Sequence, residues 1–466
     1  MRGLRSASPV NHANTPPALV ENPMSTSTRR TILRAATLAG FSSGLNNFAA
    51  EPNAAQTVSE MKFEARATVR LGFIGLGGRG TSLLNHFLSV PGVRVTALCD
   101  LVKDRVCEAQ SLITQAGQPL AAAYHSDESA FHGLTRRDDI DLVCIATPWR
   151  WHTPMALVAM DQGKHCAVEV PAATTLDDCW ALVNMSEKCR RHCIQLENCC
   201  YGQNELMVLN MVRQGLFGEL THAATAYLHD QRDEFFSAGK AGDWRRYEHL
   251  RRNGNLYPTH GLGPVARYME INRGDRLTSL VSMSSAARSL ASYRDQQVPP
   301  ADGRRAEKYI CGDQNVSLIQ TERGRLITLE HNVCTPQPYD RINLVAGTKG
   351  IFRDYPPRIY VDGRSKASAW ESTDSYAAAF EHSWWKRLGK LGGEPDDHGG
   401  MDFIMCSRLI ECIREGLAPD MDVYDAATWS APGPLSEASV ARGSAPMAFP
   451  DFTRGRWKEH RGSDVS

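Results

Sequence analysis

Beyond its N-terminal leader the chain has no run of the ~18 consecutive apolar residues that a membrane span needs. It has no excess of either charge: 52 Lys and Arg oppose 52 Asp and Glu, for a formal net charge of zero. That balance removes the electrostatic footprint of nucleic-acid or anionic-membrane binding. Its 13 cysteines include no C-x-x-C pair and no ordered zinc-ligand spacing. Cys99, Cys144 and Cys166 fall in apolar runs, where a thiol acts as a small hydrophobe. Cys189 and Cys193, with His192 between them, come nearest to a metal set, but the sequence is read as having no metal site. There is no internal repeat. What remains is an ordinary globular composition over 466 residues, enough for two domains with their own cores.

The chain is organised around residues 69 to 100. Val69 to Ile74 reads as a short buried strand. It runs into Gly75-Leu76-Gly77-Gly78-Arg79-Gly80, matching G-x-G-x-x-G. Leu83, Leu84, Phe87, Leu88 and Val90 then repeat at helical spacing. Val93 to Cys99 reads as a second strand ending at Asp100. In such a unit Gly75 permits the tight turn, Gly77 lets the backbone approach a pyrophosphate, and Gly80 lets helix and strand pack closely. The helix N-terminus faces the anion. Asp100 suits a ribose 2′-hydroxyl and disfavours a 2′-phosphate, so NAD is the expected cofactor.

Residues 1–55 read as a signal and linker rather than fold. Thr28-Arg29-Arg30-Thr31-Ile32-Leu33 places paired arginines before a modestly apolar stretch and small residues, the pattern of a twin-arginine export signal. Met24 is an alternative start. The export machinery is then a partner, the expected location is periplasmic, and the protein travels folded with its cofactor bound.

From 66 to 198 strand and helix patterns alternate, predicting a doubly wound parallel Rossmann sheet. Its strands include Ile140–Ala146, His165–Val168 and Ile194–Glu197. Ligands in such sheets sit beyond the carboxyl ends of the strands. Thr147 to His152, Glu169 and Asn198 fall there. From 199 to 440 the pattern changes to an α+β domain with a largely antiparallel sheet, predicted over Thr221–Leu228, Leu280–Ser284, Val316–Thr321, Arg325–His331 and Arg341–Ala346. An exposed face of this sheet permits a homo-oligomer. Residues 364–400 read as loop-rich and Met401–Glu415 as a helix. Residues 441–466 read as a tail that packs back or is partly flexible.

Single residues in this half are ambiguous. His260, at the start of an apolar helical run, suits a general acid/base facing a cleft, yet a structural His has the same pattern. Tyr227, Trp244, Arg245 and Tyr339 suit a sugar site, or core and surface. Glu169 alone is an ordinary strand-end carboxylate.

Longer runs are more specific. Gly75–Gly80, Thr147-Pro148-Trp149-Arg150-Trp151-His152, Glu169-Val170-Pro171-Ala172-Ala173, Glu197–Tyr201, Arg252–Gly261 and His398-Gly399-Gly400-Met401-Asp402-Phe403 together resemble the Gfo/Idh/MocA group. Within it the resemblance is to glycoside hydrolase family 109, the NAD-dependent α-N-acetylgalactosaminidases, over nearly the whole mature chain. It implies hydrolysis assisted by redox chemistry. The sugar is oxidised at C3, the C2 proton becomes acidic, and the glycosidic oxygen leaves by elimination. Water adds to the enone and C3 is reduced again, with retention and no net NAD consumption. No flanking carboxylate pair is required, unlike ordinary glycosidases.

The resemblance also implies site roles. Gly78, Arg79, Asp100, Trp149, Arg150, Trp151, His152, Glu169, Val170 and Asn198 contact NAD. Tyr227, Arg245, Tyr257, Pro258, Thr259, His260 and Tyr339 contact the sugar. His260 is the expected proton-transfer residue near C3 or C2, assisted by Tyr257 or Tyr201, and Glu169 orients groups near the nicotinamide. Two departures matter. Sugar dehydrogenases of the wider group carry Glu-Lys-Pro where this chain has Val170, which cannot transfer a proton. Arg232 to Trp244 has no clear counterpart, leaving substrate preference open. The alternative reading is an exported NAD(P)-dependent sugar oxidoreductase with net hydride transfer.

Overall fold

Strand β1 (Val69–Ile74) buries Val69, Leu71, Phe73 and Ile74 almost completely. A near-continuous apolar strand is what a sheet covered on both faces requires. The structure is a computed structural model that describes residues 57–237, 242–389 and 398–459. The paired arginines lie outside these residues.

Strands β2 (Val93–Cys99), β3 (Ala122–Tyr124), β4 (Leu142–Ile145), β5 (His165–Val168) and β6 (Cys193–Gln195) complete an all-parallel sheet in the order β3-β2-β1-β4-β5-β6. The order reverses beside β1, so a crevice opens at the carboxyl ends of β1 and β4. Helix Gly78–Leu88 follows β1 and buries Gly80, Leu83, Leu84 and Phe87.

The second sheet contains β7 (Leu220–Leu228), β8 (Leu277–Ser284), β9 (Asn315–Thr321), β10 (Leu326–Asn332), β11 (Leu344–Gly347), β12 (Gly350–Arg353), β13 (Arg358–Val361) and β14 (Met447–Ala448). Its order is β13-β12-β11-β7-β10-β9-β8-β14, antiparallel except for the central β7–β10 pair. Helix Thr259–Tyr268 packs against β7 and β10. Met283, Leu318 and Leu326 are exposed on β8, β9 and β10. Tail residues Met447 and Ala448 pair with β8, and Phe449 and Phe452 are buried.

Two local expectations are corrected. Arg341–Ala346 is not one strand, because Ile342 and Asn343 take positive φ (63° and 42°) and β11 begins only at Leu344. Residues 364–400 hold two short helices, Asp374–Phe380 and Ser383–Leu388, anchored by buried Tyr376, Phe380, Trp384 and Leu388. Both sheets lie in one compact unit.

Candidate active site

The glycine turn is built as a cradle. Gly75 has φ +92°, and a Cβ there would meet the Ala146 carbonyl oxygen at 2.6 Å; a Cβ on Gly80 would meet the Gly75 carbonyl oxygen at 1.9 Å. These two glycines serve the chain's own packing. By contrast, a Cβ on Gly78 would meet no atom within 4 Å, and one on Gly77 only the Arg105 guanidinium at 3.9 Å. That open space lies at the N-terminus of helix Gly78–Leu88, where amides face an anion. Asp100 braces the turn, accepting from the amides of Leu76 at 2.7 Å and Val102 at 2.8 Å. The cradle, the helix terminus and the acidic residue fit a dinucleotide.

The strand ends add the rest of this wall. Trp149 and Trp151, in a 3₁₀ turn after β4, are buried, as are Val170 and Asn198; Arg150 is exposed. The Trp149 indole donates to the Val170 carbonyl at 3.1 Å. His152 has Nδ1 at 2.8 Å from the Pro171 carbonyl and Nε2 at 2.6 Å from the Thr147 carbonyl. Burial lowers the His152 pKa despite those acceptors. Its role is to tie β4's loop to β5's.

Glu169 meets Arg79, whose Nε donates to Oε1 at 2.7 Å. The same guanidinium donates from its two terminal nitrogens to Asp402, at 2.5 and 2.8 Å. Burial opposes the Asp402 charge, but Arg79 and His398 outweigh it and hold the carboxyl far below its usual range.

The opposite wall is aromatic. His260 is the second residue of helix Thr259–Tyr268. Gly261 and Gly263 let that helix lie close: a Cβ on Gly261 would meet Thr225 Oγ1 at 2.8 Å, and one on Gly263 would meet Glu197 Cγ at 2.9 Å. His260 Nδ1 lies 2.7 Å from Oε1 of Glu197, and Nε2 lies 3.4 Å from the Tyr257 hydroxyl. Tyr257 stacks on Tyr227 at 4.5 Å and tilts against Trp149 at 5.8 Å, which joins the two walls. The Tyr227 hydroxyl is 3.0 Å from His229 Nδ1 and accepts from Gln231 at 3.1 Å, while Arg245 donates to Gln231 at 3.1 Å. The Arg245 guanidinium also lies over the rings of Trp149, Trp244 and Tyr257. Its Nε is buried without a hydrogen-bond partner, an orphan donor of the kind a ligand satisfies. Tyr339 stands at the rim, 37% exposed and edge-on to Tyr227. Pro258 and Thr259 are buried beneath the helix start.

Burial dominates the titration of this wall. It pushes the Tyr257 phenol well above its ordinary value and the Tyr227 phenol to about 12. Burial also pushes Glu197 up, but His260, Thr259 and the Cys199 amide together hold its carboxyl below the usual value. An ionised Glu197 fixes the ring so that Nδ1–H points at it, leaving Nε2 to exchange a proton.

Tyr201 stands apart from this cluster. Its hydroxyl donates to Asp420 at 3.1 Å, its ring stacks on Trp384, and Arg267 lies over it. The residues that sequence reasoning left without a role are Glu197, His229, Gln231 and Asp402. Glu197 and Asp402 sit in matched runs, and Glu197 follows β6, a position that marks ligand-facing groups in such sheets. Glu197, Cys199 and His260 offer donor atoms within 4.8 Å of one another. The Glu–His hydrogen bond accounts for that proximity, and burial keeps the Cys199 thiol protonated. Cys193 is buried in β6, and Cys189 faces Met185.

Comparison with known proteins agrees with this geometry. Residues 69–195 match the oxidoreductase family with an NAD-binding Rossmann fold, and residues 201–459 match the glycosyl hydrolase 109 C-terminal domain. A glycosyl hydrolase family 109 protein of Solibacter usitatus is 60% identical over 438 residues, covering 93% of this chain and 99% of the relative. One from Saccharopolyspora erythraea is 52% identical over 453 residues, covering 95% and 97%. Among solved structures, a levoglucosan dehydrogenase complex with NADH aligns with a TM-score of 0.64 at 16% identity, covering 82% of this chain and 100% of that one. At that identity the likeness is one of fold.

Proposed function

The chain belongs to glycoside hydrolase family 109, and from that premise we propose that it releases terminal α-linked N-acetylgalactosamine, or a related hexose, with retention and no net use of NAD. It is a glycoside hydrolase with an NAD-binding domain. NAD, when bound, would supply reversible hydride transfer at C3 of the sugar. Gly77, Gly78 and Asp100 would hold its pyrophosphate and ribose end, Arg79 would brace them through its ties to Glu169 and Asp402, and Trp149 and Val170 would line the rest of its site. The observation that carries the reading is the Glu197–His260–Tyr257 line, on the wall that meets Trp149.

A ketone at C3 acidifies the C2 hydrogen, because the electron pair left behind is delocalised as an enolate. His260 Nε2 takes that proton while Glu197 stabilises the imidazolium. The glycosidic C1–O bond breaks and the departing oxygen takes a proton from water, so the aglycone leaves as an alcohol. The hydroxide so formed adds at C1, and His260, its imidazolium proton exchanged with solvent, returns a proton to C2. Tyr227 and Tyr257 give the apolar face of the ring a platform, and Arg245 Nε is free to bind a sugar oxygen.

The test is hydrolysis of aryl α-N-acetylgalactosaminide in deuterium oxide. The proposal expects nitrophenol release, deuterium at C2 of the product and no accumulated NADH. NADH formed in step with product, or unlabelled C2, sinks it. The Arg29-Arg30 pair further supports export through the twin-arginine machinery to the periplasm. Replacing both arginines with lysine should keep the protein in the cytoplasmic fraction; unchanged export would refute it.

A further inference from the structure

Arg79 is the second residue of the helix that opens at the glycine turn. All three of its guanidinium nitrogens are committed to carboxylates from opposite directions. Glu169 follows β5, whereas Asp402 belongs to helix Met401–Glu415, which packs on the glycine-turn helix from the far end of the sequence. The side chains of Asp402, Glu169 and Arg79 are 0%, 10% and 26% exposed, so solvent ions screen little of the attraction. The bidentate geometry is the strongest available to a guanidinium and a carboxylate. His398 Nδ1 lies 2.7 Å from the Asp402 oxygen nearest Arg79, adding a further tie. No step of the reaction described above uses Asp402.

We propose that Asp402 is a positioning residue that makes Arg79 a clasp. The pair stitches the C-terminal helix to the cofactor turn, and the dinucleotide leaves only when that stitch opens. The inference rests on the reading above for its rationale, because a reaction that returns its hydride to the same sugar has no need to exchange cofactor.

The experiment uses the full purified chain and two variants, Asp402→Asn and Arg79→Lys. Dinucleotide carried through repeated gel filtration is quantified after denaturation, and release of labelled NAD is timed against an unlabelled chase. Both variants should release NAD at least about tenfold faster than the wild type. Their apparent KM for added NAD should rise far more than kcat falls. Arg79→Lys keeps a cation beside Glu169 but cannot span both Asp402 oxygens, so it decides the matter if Asp402→Asn does not fold. Wild-type release rates in the folded variants overturn the clasp. So does a fall in kcat at saturating NAD with unchanged release. A wild type that holds no dinucleotide fails the functional reading instead, and retention is read without any glycoside present.

Discussion

The two walls of the site are made of different materials. The cofactor wall is held by charge: Arg79, Glu169 and Asp402 satisfy one another, and Asp100 is engaged by the amides of Leu76 in the glycine turn and of Val102. The sugar wall is held by stacked rings, and its polar atoms are less committed. Arg245 Nε is buried without a partner, and Tyr257 sits 3.4 Å from His260. A wall of mutually satisfied ions resists rearrangement. A wall of aromatic faces with a spare donor accepts and releases a neutral ring. The difference matches a cofactor that stays and a substrate that turns over.

The contrast breaks first at His260. Replacing it with alanine should lower kcat by roughly 10²–10⁴-fold, the usual worth of a placed acid/base. NAD retention should be unchanged, because the residue belongs to the other wall. Steady-state rates and the gel-filtration assay test both halves of that statement.

Acid separates the buried histidines from the Arg79–Asp402 tie next. Burial lowers the pKa of His249 and His331, under the sugar wall, to about 3. The unfolded chain therefore binds more protons below the ordinary histidine value near 6.5, and stability falls as pH drops through it. For the pair this amounts to roughly 2–3 kcal/mol between pH 7 and 5.5. Asp402 behaves differently. Its folded pKa is depressed, so its contribution is complete above about pH 4 and is lost only as pH falls further. Hydrogen exchange at pH 5.5 should show β10 loosening before helix Met401–Glu415; the reverse order would contradict the assignment.

A single glycine sharpens the cofactor side. Gly77→Ala should weaken NAD binding by about tenfold while leaving the apoprotein's melting temperature within a few degrees, because only Arg105 lies near its Cβ. Calorimetric titration and thermal melts check this; a large loss of apoprotein stability would count against the cradle. The smallest effect is expected at Tyr201. Its phenylalanine variant should keep kcat within about threefold, since its hydroxyl serves Asp420 and the chemistry uses another line of residues. A loss comparable to that at His260 would return Tyr201 to the site.

Legibility in the sequence followed locality. The β1–glycine–helix–β2–Asp100 unit was readable because all its partners lie within about thirty residues and its apolar periods are unbroken. The cofactor-side run Trp149–His152 and the sugar-side run Tyr257–His260 were readable as literal motifs, and they do face each other through Trp149 and Tyr257. Tyr201 misled because it stands three residues after Asn198, and a 3₁₀ turn carries its side chain toward Asp420. The short helices Asp374–Phe380 and Ser383–Leu388 were hidden because six or seven residues show too little period to detect. The partnerships Glu197–His260 and Arg79–Asp402 join residues 63 and 323 positions apart, and no local pattern announces them.

The two glycines behind His260 carry a last consequence. Gly261 lays the helix backbone against the β7 backbone at Ala226, and Gly263 lets it lie on the Glu197 side chain, so the imidazole and its carboxylate are brought together by the same close helix contact.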